Sequence, residues 1–124
     1  MRKSKITAAI IAKNEERNIS GCINALKGWA DEILVVDGYS DDRTVEIARS
    51  MGARVVQHKF EGDFSVERNQ AHEHGTGDWI LHLDADDRVT DGFKERVDSV
   101  IDEAPVNVYK FRRKNHFLDR KSVV

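Results

Sequence analysis

Apolar positions along the chain alternate between two rhythms. Ile6 to Ile11 is a short apolar run, the pattern of a buried strand. Ile19, Cys22, Ile23 and Leu26 then fall at i, i+3, i+4 and i+7, one face of a helix, and Gly28 supplies a stop. Ile33-Leu34-Val35-Val36 is branched and apolar, which predicts a second buried strand. Asp41 and Asp42 are placed to cap the next helix, which carries Val45, Ala48 and Met51 on one side and ends at Gly52. Arg54-Val55-Val56-Gln57 reads as a third strand. Phe64 to His74 reads as a helix, followed by the turn Gly75-Thr76-Gly77, and Trp79 to Leu83 as a fourth strand. Thr90 or Asp91 opens a helix whose Phe93, Val97, Val100 and Ile101 share a face, and Val106 to Phe111 predicts a last strand.

The resulting order is β-α-β-α-β-α-β-α-β. Apolar strands separated by helices imply an α/β fold: a mostly parallel sheet, helices on both faces and right-handed crossovers. With 124 residues the expectation is a single domain over residues 1–124. An apolar share of 40% is enough for one core and too large for a disordered chain. The formal net charge of −2 does not support a general basic coat, so no nucleic-acid partner is expected. A lone cysteine, Cys22, forms neither an internal disulfide nor a thiolate cluster, which fits a reducing compartment. No apolar run is long enough to span a bilayer. The basic start, Met1 to Lys5, lacks the long apolar stretch of a signal peptide, so a cytoplasmic location is expected.

In parallel α/β sheets, ligands sit outside the carboxyl ends of the strands. Here those ends are acidic. Asn14, Glu15 and Glu16 follow the first strand, Asp37-Gly38-Tyr39-Ser40-Asp41-Asp42 the second, and Asp84-Ala85-Asp86-Asp87-Arg88 the fourth. Two carboxylates about 4 Å apart repel by roughly 4 kcal/mol at an effective dielectric near 20. Crowded acids therefore protonate, splay into water or share a cation. Hard oxygen ligands select Mg²⁺ or Mn²⁺, and Mg²⁺ is commonly held by one or two carboxylates plus ligand phosphates. An acidic helix-capping loop is the competing reading of a lone Asp-x-Asp. Its position after an apolar strand, with acids at two other strand ends, favours the cation.

Four segments resemble, in order, the family 2 glycosyltransferases of the GT-A nucleotide-diphospho-sugar fold. They are Ile10 to Glu16, Ile33 to Thr44, Glu67-Arg68-Asn69-Gln70-Ala71 and Gly77 to Asp87. The resemblance covers about residues 5 to 103 and is nearest to enzymes of bacterial lipopolysaccharide-core synthesis. It implies transfer of a sugar, with inversion, from a nucleotide-diphosphate sugar to an acceptor hydroxyl of a glycan or sugar lipid. It also implies roles by position. Glu15 and Asp37 would hold base and ribose, Arg68 would approach the diphosphate, and Asp84 would contact the ribose side. Ala12, Asn14 and Ala85 complete the nucleotide-binding set. Asp86 would hold the Mg²⁺ or Mn²⁺, with Asp84 and Asp87 beside it. Many relatives carry a second acid directly after the position of Asp37, where this chain has Gly38, so the nucleobase is open. The family's base and acceptor site normally follow the Asp-x-Asp region, so the chain looks like the nucleotide-binding part of a longer enzyme. His82, Asp87 and His116 are candidate bases only if the fold brings them near the donor. A non-catalytic nucleotide-sugar-binding fragment is one alternative. A haloacid dehalogenase-type phosphatase is another, although that motif continues to Thr or Val where this chain has Arg88.

Other signals are weaker. His72 and His74 point in different directions on a helix and do not suggest a shared metal. Cys22 belongs to an apolar face and reads as core, and Trp29 and Trp79 as core or rim packing. Lys110, Arg112, Arg113, Lys114, Arg120 and Lys121 form a basic C-terminal stretch. It reads as a solvated charge run or as a surface for an anionic acceptor at the inner face of a membrane.

Overall fold

The apolar runs become strands and the amphipathic runs become the helices that cover them. The computed structural model describes residues 3–60, 62, 64–102, 108–111 and 116–120. The strands are β1 (Ile6–Ala12), β2 (Glu32–Asp37), β3 (Arg54–Gln57), β4 (Trp79–Asp84), β5 (Val108–Phe111) and β6 (His116–Arg120). The helices are α1 (Ile19–Leu26), α2 (Thr44–Ser50), α3 (Phe64–His74) and α4 (Asp91–Ile101). One six-stranded sheet runs β3-β2-β1-β4-β6-β5. The pairs β1–β2, β1–β4 and β2–β3 are parallel, and β4–β6 and β5–β6 are antiparallel.

Alternation along the strands divides the core into two layers. Ile6, Ala8, Ile10 and Ala12 of β1, with Trp79, Leu81 and Leu83 of β4, meet Ile19, Cys22, Ile23 and Leu26 of α1 and Val97 and Ile101 of α4. On the other face Ala9, Val36 and Ile80 meet Ala71 of α3. The small alanines of β1 let both layers approach the central strand closely. Thr90 caps α4 by accepting the Phe93 N–H at 3.1 Å. No helix among the described residues is long and apolar enough to cross a membrane.

Two local expectations change, and one strand is new. The inner side of α2 is Thr44, Ile47, Ala48 and Met51, at i, i+3, i+4 and i+7, while Val45 joins neither core cluster. The polar Thr44 disguised that face, yet it is fully buried. Asp42 does not stand at the N-cap of α2, which is Arg43, but accepts the Thr44 N–H at 3.0 Å from one residue earlier. The last expected strand is present over Val108–Phe111; Val106 and Asn107, also expected in it, lie outside the described residues. An unforeseen sixth strand, β6, inserts between β4 and β5. Its charged residues masked it, but pairing to β4 supplies what propensity lacks, and Leu118 is fully buried. Part of the basic stretch is thus strand, with Lys110 in β5 and Arg120 in β6. Arg112, Arg113, Lys114 and Lys121 lie outside the described residues.

Candidate functional site

Strand register brings the acidic ends to one rim. Ala12 pairs with Asp37, Ile11 with Asp84, and Asp37 with Gln57. The chain runs outward from β1 through β2 to β3, then returns to place β4 on the other side of β1. The gap between the ends of β1 and β4 is therefore the point where strand order reverses. At such a point two loops turn opposite ways and leave a crevice.

The loops after β1 and β2 are locked together. Asn14 lies in the left-handed region at φ 55°, where Asn is tolerated better than most residues. Its N–H donates to Ser40 Oγ at 2.8 Å, and its side-chain oxygen accepts the Asp41 N–H at 2.7 Å. The Glu15 N–H donates to Thr44 Oγ1 at 2.8 Å. Asp37 is fully buried. Its carboxylate accepts the Ser40 N–H at 2.9 Å, the Ser40 hydroxyl, and Gln57 Nε2 at 3.3 Å. Nothing in the sequence pattern marked Ser40 or Gln57; both became visible only as the groups that hold Asp37. Glu15 is half-buried beside this network. Gly38 is buried against the ring of Phe60, and a Cβ there would come within 2.8 Å of it. An aromatic ring thus leaves no room for a side chain at position 38.

The loop after β4 is a closed turn. The Asp84 N–H donates to the Asp87 carboxylate at 2.8 Å, and the Asp87 N–H to the Asp84 carbonyl at 3.0 Å. Asp87 is buried, while Asp84 and Asp86 are exposed. One carboxylate oxygen from each of the three lies within 4.8 Å of the others. The oxygens of a Mg²⁺ or Mn²⁺ shell stand about 3–4 Å apart, so small side-chain rotations would suffice. The donor set is all oxygen, which suits these hard cations. Ala85 is buried in the core and Ala12 nearly so, so a nucleotide would meet their backbone rather than their methyl groups. Beneath the loop, burial pushes the Cys22 thiol up to about 12; Arg88 opposes the shift, and Asp87, Asp86 and Asp84 add to it. Cys22 is therefore a neutral core residue whose thiol donates to the Asp84 carbonyl at 3.6 Å.

On the opposite face, α3 carries the Glu67-Arg68 pair. Arg68 is half-buried, whereas Glu67 is 3% exposed and its Oε1 has no hydrogen-bond partner among the described residues. His72 stacks with His82 of β4, ring centroids 5.5 Å apart, a contact the spacing of His72 and His74 gave no hint of. His82 is buried under α3 and Asp87 is engaged within its turn. His116 lies on β6.

A mostly parallel sheet with its order reversal between β1 and β4, and an Asp-rich turn at that reversal, defines a domain of the GT-A nucleotide-diphospho-sugar transferase class. The profile of Glycosyl transferase family 2 matches residues 7–123, and the chain belongs to that family. It is 40% identical over 96 residues to an uncharacterized glycosyltransferase of Rickettsia bellii (strain RML369-C), covering 77% of this chain and 32% of the relative. Among solved structures it is similar to glucosyl-3-phosphoglycerate synthase from Mycobacterium tuberculosis in complex with Mn²⁺, UDP and glucosyl-3-phosphoglycerate. That likeness has a TM-score of 0.58 and 26% identity, over 67% of this chain and 34% of the other. Mannosyl-3-phosphoglycerate synthase from Rubrobacter xylanophilus shares the fold at a TM-score of 0.76 and 20% identity, over 95% of this chain and 53% of the other. The chain spans about a third of the length of the Rickettsia relatives it matches. With the family established, the Asp84-Ala85-Asp86 turn belongs with the glycosyltransferases and not with the haloacid dehalogenase-type phosphatases.

Proposed function

We propose that this chain forms the donor-binding part of a metal-dependent glycosyltransferase. The enzyme transfers a sugar from a nucleotide-diphosphate sugar, with inversion, to an acceptor hydroxyl of a glycan or sugar lipid in lipopolysaccharide or other cell-envelope synthesis. It works in the cytoplasm, and the basic C-terminal stretch provides peripheral contact with the inner membrane. The observation that carries the reading is the set of three carboxylates within 4.8 Å at the strand-order reversal. The mycobacterial relative, whose complex contains Mn²⁺ and UDP, supports it.

Each residue then has a task. Asp86 holds the cation with Asp84, and Asp87 contributes while also fixing the turn through the Asp84 N–H. A divalent cation, when bound, neutralises the charge developing on the departing diphosphate. Arg68 adds a guanidinium, whose fork suits phosphate oxygens. Glu15 and Asp37 receive the base and ribose. Asp37 is fully buried and accepts from Ser40 and Gln57, so its share is to hold rigid the loop that receives the base and ribose. Asn14 and the backbone of Ala12 and Ala85 shape the crevice, and Asp84 faces the ribose side.

Isothermal titration with a panel of nucleoside diphosphates, with and without Mn²⁺ or Mg²⁺, tests this. Binding that requires the cation is expected. If no nucleoside diphosphate binds in a metal-dependent way, the proposal fails. Assay of sugar transfer or donor hydrolysis then separates turnover from binding alone.

A further inference from the structure

Arg88 follows the acidic turn and has no part in the roles above. Its Nη1 donates to the carbonyl of Ala85 at 3.0 Å and to that of Asp87 at 2.9 Å. Its guanidinium rests on Gly21 of α1. A Cβ at Gly21 would lie 2.5 Å from Nε, 2.7 Å from Nη2 and 2.8 Å from Cζ of Arg88. The next residue of α1, Cys22, donates its thiol to the Asp84 carbonyl. Two adjacent positions on one helix therefore hold the whole turn. Cys22 takes the carbonyl at its start, and Arg88, seated on Gly21, takes two carbonyls further along.

This arrangement has a chemical logic. Nη1 bonds carbonyls, so neither of those two bonds uses a carboxylate oxygen of the turn. Three neighbouring carboxylates repel one another, and without restraint the turn would open to separate them. Both bonds come from one planar nitrogen, Nη1, whose two N–H directions the guanidinium fixes; a lysine ammonium sits one bond closer to the backbone and is not held flat on Gly21. Glycine at position 21 is what makes the seat, since any side chain there would occupy the guanidinium's place.

We propose that Arg88 is a positioning residue for the cation site, holding the Asp84–Asp87 turn in its cation-ready shape, and that Gly21 is the seat it requires. The proposal rests on the reading that Asp84, Asp86 and Asp87 hold a divalent cation.

The test measures Mn²⁺ affinity by titration calorimetry on the full chain in the presence of UDP, together with thermal melting. Gly21→Ala displaces only the flexible end of Arg88 and retains its charge. Alanine is also the better helix former. The expected result is Mn²⁺ binding weakened roughly three- to tenfold with an unchanged or higher Tm, the loss of hydrogen bonds to a charged group setting the scale. A residue serving only the fold would not separate those two readouts. Arg88→Lys should weaken Mn²⁺ similarly, because charge remains while the shorter side chain does not bring its donor to both carbonyls. Arg88→Ala should weaken it less than Arg88→Lys, because removing a nearby positive charge offsets part of the loss. Asp86→Asn serves as the reference. If it loses Mn²⁺ while Gly21→Ala and Arg88→Lys bind within twofold of the parent, the positioning role is refuted and the cation site stands. If Asp86→Asn binds Mn²⁺ like the parent, the cation site itself is wrong. Should Gly21→Ala lower the Tm, Arg88→Lys alone decides.

Discussion

Both edges of the sheet carry acids, but they use them differently. At the edge where the parallel strands begin, carboxylates are tied to donors. Asp31 accepts the Ile6 N–H, Asp78 the Lys5 N–H, and Asp102 the N–H groups of Lys3 and Ser4. Glu32 accepts Thr7 Oγ1, the Thr76 N–H and Arg54 Nη1. At the edge where those strands end, Asp84, Asp86 and Asp87 gather against one another, and Asn14 and Tyr39 sit in the left-handed region. Backbone amides and an arginine satisfy the first set, so those acids join segments. The second set concentrates like charge and backbone strain, conditions that a fold tolerates where a ligand is to be met. The same residue type is thus structural at one end and chemical at the other, and the difference lies in what surrounds it.

Substitutions should separate the two edges. The largest effect is expected for Asp86→Asn, which should weaken cation-dependent binding of the nucleoside diphosphate selected from the panel on the order of 10- to 100-fold. The Tm should hold or rise, because one repulsive charge is gone. Calorimetry and melting on the same sample check both halves. Next is Glu32→Ala at the opposite edge. It should lower stability by about 1–3 kcal/mol in urea titration, through lost hydrogen bonds to a charged group, and leave binding of the nucleoside diphosphate intact.

Glu32 also predicts a pH signature. Burial raises its pKa, but hydrogen bonds from Thr76, Arg54 and Thr7 outweigh burial and hold the carboxyl below its ordinary value. Its folded value is therefore below the unfolded one, about 4.3. The stability it contributes is fully present above that pH and is lost as the pH falls through the folded value. Glu32→Gln should flatten the acid limb of a plot of urea midpoint against pH below about 4.3. The smallest effect is expected at Tyr39, which is 56% exposed at a φ of 61°. Tyr39→Gly should stabilise the fold by about 1 kcal/mol by relieving the left-handed strain. A loss of stability there would mean that the ring makes contacts which outweigh the strain.

Much of the fold was legible in the sequence because periodicity records burial. Ile19, Cys22, Ile23 and Leu26 repeat at helical spacing and all four are buried. Phe64–His74 is helical over the whole expected range. Two elements resisted. The buried face of α2 includes Thr44, whose hydroxyl accepts the Glu15 N–H across the rim. No local pattern shows that a threonine's partner lies in the loop after β1. Strand β6 reads as a charged run until it pairs with β4. The candidate site divides similarly. Its acids stood out as residues after apolar strands; Ser40 and Arg88 lay in the same segments without a role at the site, and Gln57 and Gly21 carried no mark. Their roles consist of contacts with distant segments.

The sequence by itself determined which segments bury apolar surface, and hence that parallel strands alternate with helices and that acids follow the strands. These are short-range facts, set by the spacing of side chains along a helix or strand. Only the tertiary structure decided which strand ends become neighbours, that Asp37 is buried and braced, and that an arginine rests on a glycine to hold the Asp turn. Those outcomes depend on strand order and register, which pairing between remote segments establishes, and pairing leaves no periodic trace in either partner alone.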